Sequence, residues 1–152
     1  MDDKHIIKKA YRYLSIQARS SQEISDYLLR KKIDPRQIQK VIEKLEQQGF
    51  VNDKDFTSQY INSYVKKGFG PKKIYFNLLK KGIDKQDIKR TLDDISDPEW
   101  IKQAKKVIAK KDSQLKQLDE YKVRQKIYNL LTYKGFQQRV IKSVIDAYPH
   151  LE

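Results

Sequence analysis

Cysteine is absent from this chain of 152 residues, which removes disulfide frameworks, zinc–thiolate clusters and thiol nucleophiles together. A reducing, intracellular setting suits such a chain. Histidine is nearly absent. The two present, His5 and His150, lie in the terminal segments with no evident partner in the sequence, so an imidazole-based acid–base or metal centre has no material. No apolar run approaches the ~20 residues needed to span a bilayer. The start, Met1-Asp2-Asp3-Lys4-His5, is acidic and leads into an amphipathic stretch, unlike a secretory signal. A cytoplasmic protein without membrane contact is the expectation. Alternation of β-branched residues never persists beyond a few positions, so no strand is expected. Glycine and proline are few, five and four, and they punctuate helices rather than filling loops.

Carboxylates are also under-represented: 20 against 33 lysines and arginines, for a net charge of +13. The surplus is spread along the chain, with +4 in residues 1–50, +3 in 51–98 and +6 in 99–152. Two long stretches lack carboxylates altogether. Lys66 to Lys81 contains six lysines, and Tyr121 to Ile145 contains six basic residues. Such a surplus attracts polyanions, nucleic acid or a nucleoprotein first.

What is present is a repeat. Ile24-Ser25-Asp26-Tyr27-Leu28-Leu29-Arg30-Lys31-Lys32-Ile33-Asp34 returns fifty residues later as Ile74-Tyr75-Phe76-Asn77-Leu78-Leu79-Lys80-Lys81-Gly82-Ile83-Asp84. A looser copy runs from Ile127 through Leu131 to Gly135 and Phe136. Apolar anchors keep step at Ile38 and Ile42, Ile88 and Leu92, Ile141 and Ile145. A period near fifty with helical spacing inside each unit indicates tandem helical modules, which present a long surface rather than a pocket.

Helix punctuation is legible in each unit. In the first, Asp2 or Asp3 caps a helix to about Ala18 with Ile6, Tyr11 and Leu14 inward. Ser20 and Glu23 form a capping box for a helix to about Lys32, and Asp34-Pro35 opens a third that ends at Gly49. In the second, Asn52 or Asp53 caps a helix bearing Phe56, Tyr60, Ile61 and Tyr64. Gly70-Pro71 opens the next, and Asp84 caps the last. In the third, Asp97-Pro98 starts a helix with Trp100, Ala104, Val107 and Ile108 on one stripe. A polar connection from Lys110 to about Asp119 precedes a final pair of helices, stopped near Pro149. The fold class expected is all-α: nine helices in three tandem three-helix repeats, 1–50, 51–97 and 98–152. Phe50-Val51 and Ile95-Trp100 sit where neighbouring repeats should share apolar contact. Tyrosines 11, 27, 60 and 64 fall on apolar stripes and read as core-edge packing.

No catalytic constellation can be assembled. Asp53 reads as a helix-start residue favoured by the dipole, and Asp93-Asp94 as solvated surface, rather than as metal ligands. Gly68-Phe69-Gly70-Pro71-Lys72-Lys73 lacks both the spacing and the preceding strand of a phosphate loop. No cofactor and no enzymatic activity are expected. A helix-turn-helix reading fits the turns at Ile33-Asp34, Gly82-Ile83-Asp84 and Gly135-Phe136. However, two of the would-be recognition helices begin with acidic residues, leaving the third, with Gln137, Gln138, Arg139 and Lys142, as the best copy.

Gly49-Phe50-Val51-Asn52-Asp53-Lys54-Asp55-Phe56-Thr57-Ser58-Gln59-Tyr60-Ile61 resembles the Gly-aromatic-aliphatic-Asn/Asp-Asp-x-x-Phe-Ala motif of the bacterial RecX regulatory proteins. Lys67-Gly68-Phe69-Gly70-Pro71 follows at that family's spacing. Ser20-x-x-Glu23-Ile24 and Leu131-Thr132-Tyr133-Lys134-Gly135-Phe136 match its first and third units, so the resemblance spans essentially the whole chain. Thr57 stands where alanine is usual, and Gln17, Tyr64 and Lys66 stand where arginines are frequent. The resemblance implies an elongated, curved array acting in recombination, DNA repair and the SOS response. It implies binding along the groove of the RecA–single-stranded DNA filament, generally as a negative modulator of filament growth, ATP hydrolysis, strand exchange and co-protease activity. The partners expected are that filament and DNA, single- or double-stranded, without sequence preference, met by a monomer. Contact residues expected from the charge are Lys66, Lys67, Lys72, Lys73, Lys80 and Lys81 in the middle, with Lys105, Lys106, Arg124, Lys126, Lys134 and Arg139 in the last unit. The alternative is an autonomous helix-turn-helix DNA-binding protein.

Overall fold

The structure, a computed structural model, describes residues 1–151, and among these every regular element is a helix. The first repeat comprises α1 (Asp3–Ile16), α2 (Ser21–Arg30) and α3 (Pro35–Gln47). Its caps follow the sequence closely. The Asp2 carboxylate accepts the His5 amide at 3.0 Å, and the capping box pairs Ser20 Oγ with the Glu23 amide at 3.2 Å and Glu23 Oε1 with the Ser20 amide at 3.1 Å. Asp34 accepts from the Arg36 amide at 2.8 Å. His5 is not partnerless: its Nδ1 lies 2.8 Å from the Asp2 carboxylate. Tyr11 does not point inward either. It lies on the rim, donating to Gln48 at 3.0 Å and meeting Phe50 edge-on.

The second repeat comprises α4 (Asp53–Lys66), α5 (Pro71–Lys80) and α6 (Lys85–Asp93). Asn52 provides the cap of α4, accepting from the Lys54 and Asp55 amides at 3.1 Å each, which leaves Asp53 free for another task. Thr57 is buried, and its hydroxyl folds back onto the Asp53 carbonyl at 2.7 Å, so the extra oxygen is satisfied. The third repeat comprises α7 (Asp97–Ala109), α8 (Asp112–Leu115), α9 (Glu120–Lys134) and α10 (Gln138–Ala147). The short α8 makes ten helices among the described residues rather than nine. It forms inside the polar connection because Leu115 buries its side chain while the Asp112 carboxylate accepts from Tyr148 at 3.0 Å.

The apolar core is divided unevenly. One cluster, from Ile6 through Leu45 to Val51, belongs to the first repeat alone. A second cluster is continuous through the second and third repeats, from Phe56 to Val144. Ile95 and Trp100 join that shared core, with Trp100 meeting Phe136 edge-on. Phe50 and Val51 do not bridge their junction. Val51 closes the first repeat's own core, and Phe50 stays largely exposed against Tyr11.

Polar groups take over at that first junction. Ser20 Oγ donates to the Lys81 carbonyl at 2.7 Å. The Ser21 amide and hydroxyl donate to the two oxygens of Asp53 at 2.9 and 2.8 Å. Lys81 Nζ reaches Glu23 at 3.0 Å. At the second junction the backbone does the joining: the Gly70 amide donates to the Lys134 carbonyl at 2.7 Å, and the Lys72 amide to the Gly135 carbonyl at 3.0 Å. A Cβ on Gly70 would collide with the backbone of Gly135 and Phe136, so only glycine permits this approach. The outcome is one pattern used twice. The C-terminus of α9 abuts the N-terminus of α5, and the C-terminus of α5 abuts that of α2 at its N-terminus. Orphan carbonyls of one helix meet orphan amides or a cap hydroxyl of the next, and the helix dipoles run head to tail.

Candidate nucleic-acid interface

The head-to-tail row brings together the two carboxylate-free stretches of the chain. Gly70 and Lys72 belong to the run between Lys66 and Lys81, while Lys134 and Gly135 belong to the run between Tyr121 and Ile145. Around this contact, lysines lie over aromatic rings. Lys73 Nζ is 4.2 Å from the Tyr133 ring centre and 5.9 Å from that of Phe69, and Lys134 Nζ is 4.6 Å from Phe69. A ring face holds an ammonium by its quadrupole without cancelling its charge. Among the described residues neither lysine has a carboxylate within salt-bridge distance.

The same motif continues across the second repeat into the first. Phe69 tilts against Tyr64 at 5.4 Å, Lys67 lies 4.6 Å over Tyr64, and Tyr64 stacks on Tyr60 at 4.1 Å. Lys81 lies 5.8 Å over Tyr60 and bridges to Glu23, which Arg19 approaches at 4.0 Å. Arg19 then covers Tyr13 at 3.9 Å, Tyr13 stacks on Tyr27 at 4.1 Å, and Lys31 lies 5.5 Å over Tyr27. Spacings of three and four along a helix place Tyr60 with Tyr64, Tyr64 with Lys67 and Tyr27 with Lys31. The contacts of Lys81 with Tyr60, Lys81 with Glu23, Tyr13 with Tyr27, Lys73 with Tyr133 and Lys134 with Phe69 exist only through tertiary packing. Burial, reinforced by Tyr64, pushes the Tyr60 phenol up to about 12. A cleft of about 240 Å³ opens beside it, lined by Gln17, Glu23, Tyr60, Tyr64, Lys67 and Lys81.

The twelve cations singled out from the sequence do not form one patch. Lys67, Lys73, Lys81 and Lys134 lie in this ladder. Lys66 and Lys80 are exposed on the last turns of α4 and α5. Lys72 and Arg139 border a separate groove of about 720 Å³, floored by Tyr75, Phe76, Ile95 and Trp100. Arg139 is committed there: its Nε and a terminal nitrogen grip Asp97 at 2.6 and 3.0 Å. Those hydrogen bonds hold the Asp97 carboxyl below the usual range and raise the guanidinium. Arg124 pairs with Glu120 at 3.5 Å, Lys126 lies beside the α8 segment, and Lys105 and Lys106 lie on α7. Sequence reasoning passed over Arg19, Lys31, Tyr13 and Phe69. It took Tyr27, Tyr60 and Tyr64 as core-edge packing, which they are, half-buried against the two cores; it did not see that they also carry the ladder on their outer side. The helical spacing of tyrosine and lysine was the available signal. Among the described residues no group of three or more His, Asp or Glu side chains is placed to hold a metal ion, and no helix is long and apolar enough to cross a membrane.

Comparison with known proteins matches the chain to three consecutive family models. These are the first three-helix domain of RecX over residues 7–45, the second over 52–92 and the third over 97–145. The regulatory protein RecX of Bacillus velezensis is 34% identical over 146 residues, covering 95% of this chain and 56% of the relative. That of Yersinia enterocolitica is 35% identical over 116 residues, covering 76% and 68%. The chain thus spans little more than half the length of several of the curated relatives it matches. Among solved structures, the crystal structure of RecX from Lactobacillus salivarius superposes with a TM-score of 0.83 at 28% identity, covering 95% of this chain and 94% of that one.

Proposed function

The chain belongs to the RecX family of regulatory proteins, and on that premise we propose that it is a non-enzymatic, negative regulator of the RecA recombinase. It lies in the groove of the RecA–single-stranded DNA filament and contacts both the recombinase and nucleic-acid phosphates. The observation that carries this reading is the row of α2, α5 and α9 with Lys73 and Lys134, which have no carboxylate partner among the described residues. The three helices contain 10, 10 and 15 residues. At 1.5 Å per residue they sum to roughly 50 Å of helix. A surface of that length suits a filament groove better than a single small ligand. Lys67, Lys73 and Lys134, held over rings, suit a polyanion that must be bound and released, because no carboxylate has to be displaced from them first.

The helix-turn-helix alternative is weakened at its best copy. Arg139, the residue of α10 suited to a base edge, is already clamped by Asp97, and Gln138 donates to the Tyr128 hydroxyl at 3.3 Å. The other two candidate helices, α3 and α6, begin with Asp34 and Asp84 engaged as caps.

ATP hydrolysis by RecA on single-stranded DNA, titrated with this chain, tests the proposal. Inhibition is expected well below one copy per recombinase. Unchanged hydrolysis on an intact filament, with the added chain folded, would remove the recombinase from the proposal.

A further inference from the structure

We infer that Tyr133, with Lys73 and Lys134, forms a subsite for one unstacked nucleotide of single-stranded DNA: the base lies on the open face of the Tyr133 ring and its phosphate lies between the two ammonium groups. This deepens the proposed function and rests on its nucleic-acid half.

Four observations converge on it. Tyr133 is 69% exposed, so its ring cannot be covered on both faces. Lys73 occupies one face, with Nζ 4.2 Å from the ring centre, which leaves the opposite face for a base. The other large rings of the ladder have no comparable vacancy. Tyr13 is sandwiched between Arg19 and Tyr27, and Tyr64 between Tyr60 and Phe69 with Lys67 above it. Finally, Lys73 and Lys134 are fixed in place by sharing Phe69, and both come from stretches of sequence that lack carboxylates. The backbone contact between Gly70 and Lys134 holds the two halves of the subsite in register.

An aromatic face accepts any base, because every base presents a π-face, and the adjacent cations take the phosphate without reading sequence. A duplex offers the ring no free base face, so the subsite discriminates single from double strands. That discrimination separates it from the phosphate attraction that the surplus charge provides everywhere.

The test is the affinity of the full chain for a labelled oligothymidylate and for a two-strand, fully paired duplex of equal length, measured by fluorescence anisotropy over a salt series. Tyr133→Ala is expected to weaken the single strand about 5- to 150-fold, the range of one lost base stack. Tyr133→Phe should keep the affinity, and the duplex should respond to neither. Lys73→Ala should lower the salt slope by about one unit, whereas Tyr133→Ala leaves it unchanged. Equal losses on both DNAs, or no loss on the single strand, overturn the subsite. A wild-type chain that binds no oligothymidylate overturns it too, but leaves recombinase docking standing, because inhibition of ATP hydrolysis is read separately. Intact oligothymidylate binding without inhibition strikes the docking and spares the subsite. Tyr133 is exposed at the last turn of α9, and the circular dichroism of each variant verifies that its helices are retained.

Discussion

Lys32 and Gly135 occupy equivalent turns with opposite consequences. Both residues are left-handed, with φ of 61° and 94°. At Gly135 the α5 backbone stands where a side chain would go, with Lys73 directly against it, whereas Lys32, just past the end of α2, already carries an exposed side chain. Gly135→Ala therefore combines left-handed strain with a collision at the junction, and is expected to cost about 2–4 kcal/mol in urea denaturation. Lys32→Gly relieves strain alone and should stabilise by up to about 1 kcal/mol. At the same scale, Tyr60 sets a pH window. Its phenol is raised from 10 to about 12 by burial first, with Tyr64 adding to the shift. The raised value means the neutral form is the one the fold favours. Tyr60 thus contributes stability that is fully present below pH 10 and lost as pH climbs to about 12. Titration of the tyrosinate absorbance should show a late step that Tyr60→Phe removes.

Between elements, the two junctions differ in kind. The second and third repeats share an apolar core, while the first is attached through Ser20, Ser21, Glu23, Asp53 and Lys81. Hydrogen bonds to a buried or half-buried carboxylate contribute about 1.5–3 kcal/mol each. An apolar core, in contrast, unfolds cooperatively. Asp53→Ala removes both bonds to Ser21 and leaves each core untouched. Amide exchange in α1–α3 should accelerate while the deepest amides of α5, α7 and α9 keep their protection. Uniform acceleration throughout would show that the two cores unfold as one. The side-chain caps of α1, α2, α3, α4 and α6 were legible from residue types, because caps depend on neighbours within four positions. The role of Asp53 was not: its place at the start of α4 suggested a dipole or capping residue, and only the approach of α2 gives its carboxylate a different donor.

On the scale of the whole molecule, the row of helices sorts the lysines by direction. Lys72 and Lys73 are adjacent in sequence, yet a step of about 100° along a helix sends them to different surfaces. Lys72 borders the groove floored by Phe76 and Trp100, and Lys73 joins the aromatic ladder. If the ladder faces nucleic acid, Lys73→Glu should weaken inhibition of RecA ATP hydrolysis several-fold more than Lys72→Glu, with a matching fall in the salt dependence of DNA affinity. Equal effects would place both faces in the interface or neither.

The fold class, the repeat, the absence of cysteine and most helix starts and stops were determined by the sequence alone, the short α8 excepted. Each depends on local rules: apolar spacing of three and four, caps, and the presence or absence of a residue type. The family resemblance was visible for the same reason, in contiguous motifs such as Gly49 to Ile61. Tertiary structure alone decided which repeats share a core, that Arg139 is spent on Asp97 while Lys73 and Lys134 are left without a carboxylate, and which tyrosine faces remain open. Those outcomes rest on contacts between residues some sixty positions apart, such as Gly70 with Lys134 and Ser20 with Lys81. No local periodicity encodes them; they follow from one helix end meeting the next, where unpaired amides and carbonyls satisfy each other.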